Sequence, residues 1–240
     1  MKYVSKDRLC DFEFHDSEWS FVSWEDGNLT VRIRMLNIHK DAQQNDCGKD
    51  MEIKEAILTF IGIKNFTYTL PRTWKKDENG NSYTDDPLVV YEGDEGVQKF
   101  INELESSHHA AVMYFKEING GYEFSGIGNE WISAEFAFDG VTVEWDEYCG
   151  KAWYWGHKYQ KQKLVLETPK GELTVDATVS ENTEPVFANG IEIAPPGFGI
   201  VFNYENKAVF SGHFKTLEEA FEGLKNALPE GVKMIGFCEE

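Results

Sequence analysis

The chain has 240 residues, 41% of them hydrophobic and 14% aromatic, which is ample for one large domain or two modest ones and excludes global disorder. Its 42 acidic residues against 23 basic ones leave a formal net charge of −19 at pH 7. That balance disfavours nucleic acid and anionic membrane surfaces as partners and favours a basic protein, although acidity also serves solubility alone.

The opening, MKYVSKDRLCDFEFHDSEW, carries no apolar segment of the secretory type, and no apolar run in the chain is long enough to span a bilayer. Cys10, Cys47, Cys149 and Cys238 lie far apart with no C-x-x-C pair, so a reduced, cytoplasmic setting is expected. The sequons at Asn28 and Asn65 then only place threonines in strands.

From Trp19 to Leu36 the pattern is that of a hairpin turning at Asp26-Gly27, residue types that tolerate positive φ. Its return strand alternates Leu29, Val31, Ile33 and Met35 against Thr30, Arg32 and Arg34. AILTFIGI and FTYTL are further strand-like runs, and the polar stretch from Trp74 to Asp86 predicts an exposed loop or a boundary. A helix is expected over about 95–107, with Asp94 as its cap and Val97, Phe100, Ile101 and Leu104 at helical spacing.

Three more hairpins follow: one turning at Asn119-Gly120-Gly121, one at Asp139-Gly140 and one around Pro169-Lys170-Gly171. The last part predicts a hairpin turning near Glu205-Asn206, a helix over 217–228 with Thr216 and Glu219 forming a capping box, and a closing strand GVKMIGF. Neither hairpin nor helix buries enough surface alone, so this ββαβ unit must lay its helix on a sheet. The fold class is α+β, strand-dominated and mostly antiparallel, with two main helices. The expected organisation is a β-rich half over 1–90 and an α+β half over 91–240, or one continuous domain.

An internal echo links Glu18-Trp19 with Asp26-Gly27 and Leu29-Thr30-Val31 to Glu130-Trp131 with Asp139-Gly140 and Val141-Thr142-Val143. Both copies are followed by Cys-Gly-Lys, at Cys47 and at Cys149. A duplication would produce this, and so would the shared demands of any Asp-Gly hairpin.

Candidate chemistry is sparse. His39 and Cys47, and Cys149 and His157, are eight apart, and two such pairs could surround one zinc ion, but the separation is not a short chelating spacing. His108-His109 follows a helix end, where imidazole serves capping more readily than catalysis. His15-Asp16 is a potential acid–base pair or a pair of backbone hydrogen-bonding groups, and His213 has no evident partner. Glu144 and Asp146 share a strand face, with Glu135 expected on the paired strand. Two carboxyl groups at a fixed separation are what glycoside hydrolysis needs, but with 42 acidic residues such neighbours arise by chance and a solvated β face is the favoured reading. No nucleophile elbow, phosphate-binding glycine loop or H-E-x-x-H is present, so no catalytic residue, cofactor or metal is expected.

The stretch YCGKAWYWGHKYQ, Tyr148 to Gln160, concentrates large aromatic side chains. Trp153, Tyr154 and Trp155 there suit interface anchors or platforms for sugar rings, or else pack under a sheet edge.

FHDSEWSFVSWEDGNLTVRIRML resembles the opening of several uncharacterised bacterial protein families, and ISAEFAFDGVTVEWDEYCGKAWY is similar to a segment of bacterial proteins of the polymorphic-toxin immunity type. The resemblance implies a cytosolic protein that neutralises a toxin by binding it. Combined with the charge, the expectation is a non-enzymatic protein-binding module. Glu144, Asp146 and Glu147 would steer a basic protein partner and Trp153, Tyr154 and Trp155 would anchor it. The alternative is a carbohydrate-binding or glycan-processing protein using the same aromatic loop.

Overall fold

The computed structural model describes residues 1–240 apart from Asn79, Asn189, Gly190, Asn206 and Glu240, and apart from the side chains of 188 and 237–239. The chain divides into two compact units, Met1–Ala152 and Trp153–Glu240. Among the described residues both are built from antiparallel strands with one α-helix each, in line with the α+β expectation.

In the first unit, ten strands hydrogen-bond in one order among the described residues: Tyr3–Lys6, Gly140–Trp145, Ala56–Ile61, Asn28–Arg34, Glu18–Glu25, Ala110–Ile118, Gly121–Ile127, Trp131–Ala137, Lys64–Thr69 and Val90–Glu92. Chain continuity closes this order on itself. Ala56–Ile61 runs into Lys64–Thr69 through Gly62 and Ile63 alone, and Trp131–Ala137 runs into Gly140–Trp145 through Phe138 and Asp139 alone. These two bent segments pair with one another on both sides of the bend, from Trp145 opposite Ala56 to Ser133 opposite Thr69. One side of the ribbon continues the sheet at Asn28–Arg34 and the other at Gly121–Ile127, so the ladder wraps into a closed, barrel-like ring.

The bend requires glycine. Gly62 has φ +65°, and a Cβ there would lie 2.6 Å from Asp139 Oδ2. Asp139 N–H donates to Ile61 O at 2.8 Å, and Lys64 pairs with the Asp139 carboxylate.

Aromatic rings fill the interior. Phe60 lies 5.2 Å from Phe136, 5.0 Å from Phe138 and 5.9 Å from Trp19, centroid to centroid, across the ring. The Trp19 indole N–H is satisfied inside by Ser17 Oγ at 3.2 Å. Helix α1 (Gly93–Ser106) turns Val97, Phe100, Ile101 and Leu104 inward, with Phe100 5.6 Å from Phe66 and 5.2 Å from Phe124. A small second sheet, Phe12–Glu13, Leu36–Ile38, Met51–Ile53 and Tyr148–Lys151, adds Leu36, Ile38 and Ile53 to the same core.

The second unit is a five-stranded antiparallel sheet in the order Lys207–Phe214, Gly197–Tyr204, Gly171–Asn182, His157–Thr168, Lys233–Glu239. Helix α2 (Leu217–Ala227) crosses from one edge strand to the other and packs Ala220 and Leu224 against Ile200, Phe202 and Leu164. Thr216 accepts from Glu219 N–H at 3.2 Å, and the Glu219 carboxylate accepts from Thr216 N–H at 3.3 Å, so the expected capping box is formed.

Several expectations need correction. The hairpins at Asp26-Gly27, at Asn119-Gly120 and after Thr168 are paired as expected, and Asp26 and Gly27 both have positive φ as a type I′ turn requires. The turn residue Asn206 lies outside the described residues, while its flanking strands pair. The segment turning at Asp139-Gly140 is not a hairpin: its two strands are the bent member of the ribbon and never pair with each other. The boundary drawn at 90/91 falls inside the first unit, because Lys64–Thr69 hydrogen-bonds to Trp131–Ala137. The N-cap of helix α1 is Glu92, which makes no side-chain capping bond, and Asp94 sits in the first turn, where a carboxylate still complements the helix dipole. The two echoing segments also differ in role, for Trp19 is fully buried and Trp131 is 45% exposed.

Candidate functional site

The six residues expected to bind a partner are divided between the units. Glu144, Asp146 and Glu147 belong to the first, and Trp153, Tyr154 and Trp155 to the second. Glu144 lies in the strand Gly140–Trp145, opposite Val4 and Ile57. Asp146 accepts a hydrogen bond from Lys2 N–H at 2.6 Å, and Glu147 is paired with Lys54 at 2.9 Å. Part of their charge is therefore balanced within the protein. Glu135 is not beside Glu144, since the Asp139-Gly140 segment does not fold back on itself.

Trp153, Tyr154 and Trp155 are all half-buried, between the exposed and buried alternatives that their composition suggested. Trp153 meets Tyr154 edge-on at 5.5 Å and His157 at 5.9 Å, and its indole Nε1 is buried without a hydrogen-bond acceptor among the described residues.

His15 and His213 are placed by backbone carbonyls, and His39 and His109 face carboxylates. His15 Nδ1 lies 2.7 Å from Met113 O, with Asp16 3.6 Å from the other ring nitrogen. His213 Nε2 lies 2.7 Å from Pro195 O. His108 takes a left-handed φ of 64° directly after α1, and His109 lies 4.0 Å from Glu18. The four residues weighed for zinc do not form a described cluster. His39 faces Asp50 at 3.3 Å, the exposed Cys47 lies beside Asp46, and Cys149 Sγ–H donates to the buried Glu52 at 2.8 Å. Among the described residues, no three His, Cys, Asp or Glu side chains are arranged to hold a metal ion. Desolvation, then the Asp46 carboxylate, holds the Cys47 thiol above its ordinary range, which opposes thiolate chemistry there.

In the second unit an open groove of ≈ 1240 Å³ runs beside α2, lined by Phe198, Phe214, Leu217, Phe221 and Met234. None of Trp153, Tyr154 or Trp155 borders it, and its charged residues largely serve the helix: Glu219 closes the capping box and Lys225 pairs with Glu222.

The outward face of the first unit holds a feature missed in the sequence. Exposed large apolar residues Tyr114, Ile127, Trp131 and Val90 fall on neighbouring strands. Their alternation was visible in WISAEFAF, where Trp131, Ser133 and Glu135 oppose Ile132, Ala134 and Phe136. What the sequence lacked was the order of strands that brings them together.

Among the described residues, no helix is long and apolar enough to cross a membrane. Comparison of the chain with protein-family models, curated proteins and solved structures finds no match.

Proposed function

We propose that the chain is a non-enzymatic, acidic protein-binding module of the immunity type, which neutralises a basic bacterial toxin in the cytoplasm by covering its active site. The observation that carries this reading is the combination of a filled interior with an acidic exterior. Trp19, Phe60, Phe66, Phe100, Phe124 and Phe136 are fully buried and occupy the space where a barrel could hold a small ligand, which leaves the outer surface for function. That surface carries most of the −19 charge. Such a field speeds the approach of a cationic protein and repels phosphate backbones. The carbohydrate reading is less well supported, because half-buried Trp153 and Trp155 do not present a flat, open platform.

The test is association with the product of the reading frame adjacent to this gene. A basic product should bind with an on-rate that falls steeply between low and physiological salt, and its toxicity should be suppressed by co-expression. A product that neither binds nor is neutralised overturns the reading.

A further inference from the structure

Strand register builds one continuous outer surface on the first unit. Tyr114 stands opposite Ser125, which is itself buried among its larger neighbours, Ser125 opposite Ser133, Ser133 opposite Thr69, and Thr69 opposite Val90. One step along the same face, Ile127 stands opposite Trp131, and Leu70 N–H donating to Val89 O at 3.0 Å carries the ladder on toward Leu88. Ile127 and Trp131 are each 45% exposed and Leu88 62%.

One step the other way, Glu123 stands opposite Glu135, Glu135 opposite Thr67, and Thr67 opposite Glu92. Glu123 is held by Lys116 at 3.0 Å and by the Tyr114 hydroxyl at 2.8 Å. The carboxylates of Glu92 and Glu135 have no side-chain partner among the described residues.

Two features of this face cost the isolated protein stability or solubility. Like charges directly opposite on paired strands repel, and a run of exposed apolar side chains invites association. A single occupant relieves both: a cationic surface with an apolar side chain between its Lys and Arg residues. We propose that this face is the docking surface for a basic protein partner, with Glu92 and Glu135 meeting its cations and Trp131 and Ile127 meeting its apolar side chain. This rests on the function proposed above and moves the principal contact away from Trp153, Tyr154 and Trp155.

The test uses the full chain and two synthetic peptides of equal charge, one alternating Lys with Leu and one alternating Lys with Ser, followed by backbone amide NMR. The Lys/Leu peptide should bind more tightly and shift amides within 111–136, 67–70 and 88–92. Trp131→Ala should weaken it about tenfold. Glu135→Lys should weaken it to a similar extent without lowering the melting temperature, because it replaces a repulsive cross-strand pair with an attractive one. A merely structural role for Glu135 would show the opposite pairing of effects.

Equal binding of the two peptides, unchanged affinity in both variants, or loss of binding in Trp155→Ala alone each overturns the assignment. So does the same set of amide shifts arising with protein concentration and no peptide, which would make a second copy the occupant. If the adjacent-gene product binds the natural chain and both variants alike, this surface is wrong and the functional reading stands. If it does not bind the natural chain, the functional reading fails first.

Discussion

Replacing Gly223 by alanine sets helix propensity against packing inside α2, and the geometry decides which wins. An interior Gly→Ala change in a helix normally gains about 1 kcal/mol. Here the new Cβ would lie 2.3 Å and 2.4 Å from Cε2 and Cζ of Phe214 and 2.6 Å from Ser211 O. The ring can swing aside, but the Ser211 carbonyl belongs to the strand Lys207–Phe214 that α2 packs on, so helix and sheet must separate. Overpacking of this kind costs about 1–3 kcal/mol, and a backbone contact belongs at the upper end. The net expectation is a loss of about 1–2 kcal/mol, which for a unit of this size lowers the melting temperature by roughly 5–15 °C. Differential scanning calorimetry of Gly223→Ala measures it. The double variant with Phe214→Leu should recover at least about 0.5 kcal/mol of the loss, since the clashing ring atoms are gone. A Gly223→Ala protein that melts higher than the natural chain would show that propensity dominates and that the close approach of α2 to the sheet is wrong.

Phe60→Ala should be the most damaging single truncation of the first unit. The ring meets Trp19, Phe115, Phe136 and Phe138 within 5.9 Å, and its loss should cost about 3–5 kcal/mol in a urea titration. An effect below 1 kcal/mol would mean that the ring of strands collapses readily and is not tightly packed. Burial first, then the Glu103 and Glu130 carboxylates, pushes the Tyr68 phenol up to about 12 from 10.0. The unfolded chain therefore loses this proton at lower pH than the folded chain. The contribution is fully present below pH 10 and lost as pH rises toward 12. Ultraviolet titration should show tyrosinate forming late, and Tyr68→Phe should flatten the fall in stability across that window. An equally steep fall in the variant places its cause elsewhere.

Local signals in the chain were reliable where one segment contained all that its structure needed. Asp26-Gly27 supplies both positive φ values of its turn, Thr216 and Glu219 cap α2 within four residues, and Phe100 and Leu104 repeat at helical spacing. The Asp139-Gly140 segment has the same local pattern and a different fate. Its residues can turn, but Phe60, Phe136 and Phe138 pack together only if both strands bend and continue, and that burial outweighs a local hairpin. The candidate site followed the same division. Trp153, Tyr154 and Trp155 drew attention as neighbours in sequence, while Trp131, Ile127 and Val90 share a surface only through strand order.

The sequence by itself therefore determined the class: antiparallel strands from alternation and turn residues, two capped or dipole-matched helices, and an acidic chain. Tertiary structure alone decided where the chain divides, which strands neighbour one another and which carboxylates face each other. Those depend on hydrogen bonds between residues far apart in the chain, such as Glu123 to Glu135 to Thr67, and no periodicity within one segment encodes them.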